Sequence, residues 1–499
     1  MRMPSIRPFD AVRDLFQTDR GRRALRGFKP GAGFVLEPRA LLAARIVELS
    51  IPLARSEADS LVRGPDGNIW GLAETFDSAT FKDKAYLVRF DAATGATKSY
   101  PIGEVAFGGT DSLTVGPNGT LWYLDGNELV QFTISTAHLK RYDLGESYSP
   151  TDAIAGPDGN MWFVTKTIDT IQVGKLSLPD GGITRYTVAT NEPVNAPGFL
   201  SVGPDQRINF MWGSTFGSIT TAGQFTSYPA VGASDIVFGP NNTAWTHHYF
   251  DDKVYQINPN NFSLIKSIDR PAGSRPWSMA FDTSGMLWVA EMDTNKLAKI
   301  DPATSQVTQI SLPKTRNVDG ILVPESPKTL VGTPDGNIWY SQSSAFSRIG
   351  VLALDGKGPS RGYVSKEGGV IPAALTEAPR VTSITIKINT KRVGRKTIRT
   401  FAGFALTFNV PMDAALAKST KSYVLTANTK QGKQIKATPV PFQTSLSRDG
   451  KTLSILIDGS KFKFPLGGKL TTKSQLASAF GLGMPSRSFK IGNNARTIV

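Results

Sequence analysis

Gly64-Pro65-Asp66-Gly67-Asn68-Ile69-Trp70 is the stretch on which the reading of this chain turns, because it recurs. Gly116-Pro117-Asn118-Gly119-Thr120-Leu121-Trp122 and Gly156-Pro157-Asp158-Gly159-Asn160-Met161-Trp162 repeat it closely. Looser copies begin at Gly203-Pro204-Asp205, at Gly239-Pro240-Asn241 and at Asp282-Thr283-Ser284-Gly285, the last two running on to Trp245 and Trp288. A seventh reads Thr333-Pro334-Asp335-Gly336-Asn337-Ile338-Trp339. Successive copies start 52, 40, 47, 36, 43 and 51 residues apart, a period that belongs to propellers and solenoids.

The surroundings of each copy follow one pattern, clearest at the third. Asp152-Ala153-Ile154-Ala155 leads into the turn and Asn160 to Thr165 leaves it; Gln172 to Leu178 and Ile183 to Val188 follow. These are four short runs rich in Val, Ile, Thr, Tyr and Phe, separated by Gly, Pro, Asp and Asn, the composition of antiparallel hairpins. Within the turn, Pro presets φ at the first central position and the last Gly takes a positive φ. The Trp falls on the second strand, where a broad ring packs between neighbouring units. Four-stranded units of this length, repeated radially, make a β-propeller. Seven copies predict seven blades over residues 45–358. The seventh unit runs out into Gly356-Lys357-Gly358-Pro359 without an outer strand, and the segment 45–53, ahead of the first unit, has the make-up to supply it. Closing the ring in this way removes two exposed sheet edges.

At 499 residues the chain is too long for one core and fits two or three domains. With no cysteine it has no disulfide or thiolate metal site, and three histidines (His138, His247 and His248) are too few for a histidine cage. The formal charge of +15 is unevenly spread: residues 1–45 carry +6, residues 46–360 carry −9 and residues 361–499 carry +18. Basic ends around an acidic middle point to anionic partners. Residues 1–44 read as a basic leader with no run long enough for a membrane span or a secretory apolar core. Residues 359–378 read as a linker, 379–470 as a small β-sandwich and 471–499 as a basic tail, partly disordered. The fold class expected is therefore all-β: a seven-bladed β-propeller followed by a small Ig-like β-sandwich.

Three resemblances sharpen this. Leu36-Glu37-Pro38-Arg39-Ala40-Leu41-Leu42 resembles the LEPR-XLL segment of large exported or surface proteins of some bacteria, which implies export to the cell surface. Leu406 to Asp413, followed by Tyr423, resembles bacterial Ig-like modules appended to exported proteins. The basic run Lys391-Arg392-Val393-Gly394-Arg395-Lys396 in that module is a candidate contact for an acidic cell-surface polymer, though such a run is more often a solvated hairpin tip. No zinc-finger or helix-turn-helix pattern accompanies it, which argues against nucleic acid. Over roughly residues 46–355 the repeated turn resembles virginiamycin B lyase and its relatives, which open the ring of streptogramin B antibiotics. The chain is read as a monomer with no transmembrane segment.

The lyase resemblance implies catalytic histidines at the inner-strand starts of the last two blades, in Pro-His contexts, with nearby glutamates and a magnesium ion. Here those contexts read Arg275-Pro276-Trp277 and Ser326-Pro327-Lys328. The glutamate ahead of the last Pro-His is Ser326, with Glu325 adjacent, and the last acidic position is Ser343. The acid/base machinery is not carried over, and proton transfer needs a group of suitable pKa within reach.

Two rings of positions should line the mouth of the channel. One holds Asp59, Asp111, Thr151, Gly198, Ser234, Trp277 and Lys328; the other holds Ala73, Asp125, Thr165, Trp212, His248, Glu291 and Gln342. They vary from unit to unit while the scaffold repeats, as an asymmetric ligand site requires. Asp59, Asp111, Asp125, Trp212, Trp277, Lys328 and Gln342 are the candidate ligand-binding residues, with the two tryptophans as a stacking platform for a glycan or peptide. His248 and Glu291 are the candidate catalytic pair of an alternative, a metal-assisted lyase or hydrolase of the same family in which carboxylates hold magnesium or calcium. The commoner roles of such residues are structural: Asp59 and Asp111 as turn caps, His248 as a surface or core-edge histidine, and His138 as a structural residue of the outer half of its blade. Convergence of His248, Glu291 and an aspartate would favour the enzyme; separation would favour binding.

Overall fold

The glycines, Asp, Asn and Trp of the repeated turn each have a structural reason. The computed structural model describes residues 45–53, 56–77, 82–105, 110–145, 149–166, 171–188, 199–212, 215–229, 231–232, 234–316, 321–342, 347–354, 356, 358–365, 367–372, 380–412, 414–431, 434–448, 450–458, 464, 466–473, 484 and 486–492. The leader and its LEPR-XLL segment lie outside them. Asp66 Oδ1 accepts the indole N–H of Trp70 at 3.0 Å and the backbone N–H of Asn68 at 3.2 Å. Its Oδ2 accepts from Asn68 Nδ2 at 2.9 Å and Arg89 Nε at 2.8 Å. Asn68 in turn accepts the Ala92 N–H at 3.1 Å, tying the turn to the end of the third strand. Asp158, Asn160 and Trp162 repeat the arrangement, with the indole N–H 2.9 Å from Asp158 Oδ1 and the Leu178 N–H 2.9 Å from Asn160 Oδ1. The first glycine is required because the indole lies over it: a Cβ on Gly64 would sit 2.5 Å from Trp70 Cδ1. The last glycine takes the left-handed turn conformation, with φ of 77° at Gly67 and 74° at Gly159.

The tryptophans so placed, Trp70, Trp122, Trp162, Trp245, Trp288 and Trp339, are all 0% exposed. They differ in one respect. Trp288 donates to Asp282 Oδ2 at 2.8 Å, whereas the indole N–H of Trp245 has no partner among the described residues. Replacement by Phe leaves a similar gap in both places but strands an acceptor only at Asp282. Trp288→Phe is therefore expected to destabilise by about 1–3 kcal/mol more than Trp245→Phe in urea unfolding. Equal losses would mean that the indole bond contributes nothing.

Successive antiparallel sheets follow along the chain between Arg45 and Ser365 among the described residues. The first contains Ser56–Arg63, Ile69–Asp77, Lys82–Phe90 and Thr97–Val105, and the next five repeat this meander. The last contains Pro327–Gly332, Ile338–Gln342 and Arg348–Ala353, to which Arg45–Ser50 adds antiparallel from the other end of the chain, Arg45 facing Ala353 and Ser50 facing Arg348. Tyr363–Ser365 then covers the outer edge of Arg45–Ser50. Apolar clusters fill the spaces between neighbouring sheets. Trp70 and Leu72 meet Leu121 and Tyr123, and Trp162 and Val164 meet Ile208 and Phe210. One cluster joins the two ends of the series, with Leu61 and Ile69 of the first sheet against Trp339 and Val351 of the last.

The first strands are stitched to each other by a repeated bond. Leu113 N donates to Ser60 Oγ (3.2 Å), Ala153 N to Ser112 Oγ (3.1 Å), Leu200 N to Asp152 Oδ2 (2.7 Å) and Leu330 N to Ser278 Oγ (3.2 Å). Each acceptor stands four residues before its turn, at or beside a break in ladder register: between Ala58 and Ser60, Asp111 and Thr114, Pro150 and Asp152, and Pro276 and Met279.

The segment expected as a linker carries structure of its own. Ser360 N and Arg361 N donate to Ala93 O and Thr94 O of the first sheet at 3.1 and 3.0 Å. Further on, Val370–Pro372 pairs parallel with Lys314–Arg316. Val370 and Ile371 carry the strand propensity, and lie among Gly and Ser that mask it in the sequence. Beyond Arg380, two four-stranded sheets enclose one apolar core of Phe404, Leu406, Leu425, Leu453, Ile455 and Leu470. One of these sheets includes Arg487–Ile491, from the stretch expected as a tail; Ile491 anchors it in the same core.

Candidate functional site

Where the second strand of the fifth sheet ends and the first strand of the sixth begins, two turns bring aromatic side chains to the surface. Asp252 holds them together: it accepts the backbone N–H groups of Gly273 (2.6 Å) and Arg275 (2.7 Å) and the hydroxyl of Ser274 (3.2 Å). These bonds to the ionised form hold its carboxyl below the usual range against the opposing effect of burial. Arg275 has φ 47° immediately before Pro276, a combination that persists only where the surroundings enforce it. Its guanidinium lies 5.2 Å from the Tyr249 ring centre, donates to Tyr249 OH at 3.2 Å and pairs with Asp293 at 2.9 Å. Tyr249 meets Phe250 edge-on at 4.9 Å and Trp277 edge-on at 5.3 Å. Phe250 is 81% exposed and Trp277 44%. The result is a platform of three rings, the outer two crossing Tyr249 nearly at right angles and exposed to solvent, with a cation over the central ring.

Of the residues expected at the mouth, Trp277 belongs to this platform and His248 borders it, its ring 6.3 Å from that of Phe250. His248 Nδ1 receives the Asp251 N–H at 3.1 Å. Glu291 is 0% exposed, and its carboxylate accepts from Arg270 at 2.8 and 2.5 Å, from Gln309 at 2.5 Å and from Thr294 at 3.4 Å. The partners of His248 and Glu291 are thus separate sets. Asp125 pairs with Arg141 at 2.6 Å, and the same guanidinium reaches Glu128 at 2.5 Å. Gln342 is buried, donating to Glu48 at 3.2 Å and accepting from Arg348 at 3.3 Å. Lys328 is half-buried on Pro327–Gly332. Asp59, Asp111 and Trp212 lie on Ser56–Arg63, Thr110–Gly116 and Ile208–Trp212. His247, one residue before His248, is buried with Nε2 3.0 Å from Asp235 Oδ1, and His138 stands exposed at the start of an outer strand.

Magnesium and calcium take oxygen ligands in number. Among the described residues no group of three or more His, Asp or Glu is placed to hold a metal ion. Glu325, the acid nearest the relevant Pro context, is buried against Arg348 and Thr315. The described residues do not gather a ligand set for such an ion. Tyr249 and Phe250 are absent from the residues the sequence nominates, and Arg275 enters there only as the neighbour of Pro276. Their one signal is two adjacent aromatics, Tyr249-Phe250, in a short connection where strand packing calls for none.

Neither a family model nor a curated protein matches the sequence. Among solved structures the chain is similar to a streptogramin B lyase, with a TM-score of 0.51 and 20% identity over 63% of this chain and 98% of that one. It is also similar to a catalytically inactive virginiamycin B lyase from Staphylococcus aureus with quinupristin, with a TM-score of 0.50 and 18% identity over 62% of this chain and 98% of that one. At this identity the likeness is one of fold: the chain has the β-propeller architecture found in the streptogramin B lyases.

Proposed function

We propose that residues 45–358 form a closed seven-bladed propeller that binds a small polar ligand, a glycan or a peptide, on the platform of Tyr249, Phe250 and Trp277. The reading is of an exported, surface-associated binding protein with an Ig-like C-terminal module and without the lyase reaction. The observation that carries it is the exposure of Phe250 and Trp277 on a braced turn. Large rings on rigid backbone give contact area at low entropic cost, and their open faces suit the apolar face of a sugar or a peptide side chain. Against catalysis stand Trp277 and Lys328 at the positions of the family's histidines, and the engagement of Glu291 with Arg270.

The test has two arms. Calorimetric titration of the protein with N-acetylglucosamine oligomers and with short peptides is expected to reveal one class that binds. Trp277→Ala should then weaken that class by about thirtyfold, the size of a hot-spot ring. Incubation with quinupristin is expected to leave its ring intact. Unchanged affinity in Trp277→Ala would remove the platform from the site, and ring opening with turnover would restore the enzyme reading.

A further inference from the structure

The longest hairpin among the described residues lies outside this site. Val381–Val393 and Lys396–Phe408 pair along their whole length, from Val381 opposite Phe408 to Val393 opposite Lys396, across a two-residue turn at Gly394 with φ 59°. Only the base of the hairpin belongs to the sandwich. Thr452–Leu456 pairs with it no further out than Gly403, and Phe401 is the last ring packed on Phe404 and Phe464. A break in register between Lys387 and Ile388 marks the point of exit, opposite Gly403, where a Cβ would collide with Ile455 O. From Asn389 to Thr400 the two strands have only each other among the described residues. Residues 388–397 are exposed without interruption.

An isolated two-stranded ribbon is marginal in water, and this one carries charge of a single sign. Lys391, Arg392, Arg395 and Lys396 stand within six residues of one another, and no Asp or Glu occurs anywhere from 378 to 412. Lysines on a free edge can serve simply to prevent aggregation. Two arginines beside them add forked donors that match anionic oxygens. The charge balance of the chain points the same way: with −9 over residues 46–360 and +18 over 361–499, an anionic polymer is repelled by the propeller and drawn to the module. The cations also occupy more than one side of the ribbon. Paired residues share a face, so Lys391 and Lys396 lie on one and Arg392 on the other, with Arg395 in the turn. A stiff duplex meets one face of a ribbon lodged in its groove; a flexible chain can fold over both. The arm has no aromatic residue between Lys387 and Thr400 on which a base could stack.

We propose that this ribbon is a docking arm for a flexible, linear acidic polysaccharide. The full chain is titrated with sodium alginate of defined length, with neutral dextran and with a short DNA duplex. Alginate is expected to bind and dextran to fail. Alginate affinity should fall about fiftyfold when salt is raised fourfold, as four ionic contacts to a flexible chain require. Replacing Lys391, Arg392, Arg395 and Lys396 together by Ser should lower alginate affinity at least tenfold with an unchanged thermal midpoint. A charge-matched variant with Lys421, Lys430, Lys436 and Lys469 of the same module replaced by Ser should bind nearly as well as the parent. Equal losses in the two variants would reduce the effect to net charge and overturn the proposal. A duplex held more tightly than alginate at the same salt would assign the arm to nucleic acid instead.

Discussion

Arg348→Met is expected to destabilise the protein by about 3–5 kcal/mol, because it removes the shared partner of two buried acids in the last propeller sheet. Arg348 is 1% exposed, and Glu48 and Glu325 are wholly buried. Arg348 Nε lies 3.4 Å from Glu48 Oε2, and its Nη2 pairs with Glu325. Tyr340 OH donates to Glu48 at 3.1 Å, Gln342 Nε2 at 3.2 Å, and Thr315 donates to Glu325. One guanidinium thus serves two acids. Burial, opposed by Arg348 and reinforced by the charge of Glu325, pushes Glu48 from 4.5 up to about 7. Between those values the folded chain keeps a proton that the unfolded chain has released. Stability from this group is therefore complete below about pH 4.5, falls as pH rises to about 7 and is level above. The fall amounts to about 3 kcal/mol. Glu48→Gln keeps a neutral hydrogen-bonding group at every pH and is expected to remove it. Urea unfolding of the parent and both variants at about pH 4.5 and about pH 8 reads both effects. A pH dependence unchanged in Glu48→Gln would place the proton elsewhere, and a loss under about 1 kcal/mol in Arg348→Met would mean that water enters the cluster.

Trp162→Ala is expected to lower stability by about 3–5 kcal/mol, whereas the same substitution at Trp277 should change it by less than about 1 kcal/mol. Trp162 is 0% exposed, stacks on Tyr186 at 5.9 Å and 10°, and donates to Asp158 at 2.9 Å. Its removal leaves a cavity between two sheets and takes a partner from a carboxylate whose hydrogen bonds hold it below the usual range against burial. Trp277 meets the Tyr249 ring at 5.3 Å and is nearly half exposed. Paired unfolding and binding measurements on the two variants separate scaffold from site. Trp162→Ala should fail in the first, and Trp277→Ala only in the second. A large stability loss in Trp277→Ala would make that ring part of the core.

The repeat was legible because packing demands repetition. Gly for the indole to lie over, Asp to accept its N–H and Gly for positive φ are local requirements, satisfied within seven residues, and all three are met at Gly64–Trp70 and again at Gly156–Trp162. The mouth was less legible for a definite reason. Counting back from the turn assumes unbroken alternation, and the first strands break register at Ala58/Ser60, Asp111/Thr114 and Pro276/Met279. One extra residue reverses which side chain faces which side. The positions that join neighbouring first strands (Ser60, Ser112, Asp152 and Ser278) therefore lie one residue beyond the ring counted from the motif.

The sequence by itself determined the propeller: strand pattern, turn chemistry and a tryptophan in register make the unit, and the unit makes the fold. It also placed Trp277 and Lys328 directly after Pro276 and Pro327, where the resemblance to the lyases implies histidines. Only the tertiary structure decided which polar groups are free to act. Glu291, Asp125 and Gln342 look available in one dimension, but Arg270, Arg141 and the Glu48–Arg348 pair occupy them. Those partners lie from 6 to 294 residues away, brought near by sheets packing edge to edge and face to face. Ion pairs and hydrogen bonds thus engage Glu291, Asp125 and Gln342, while the rings of Phe250 and Trp277 remain exposed.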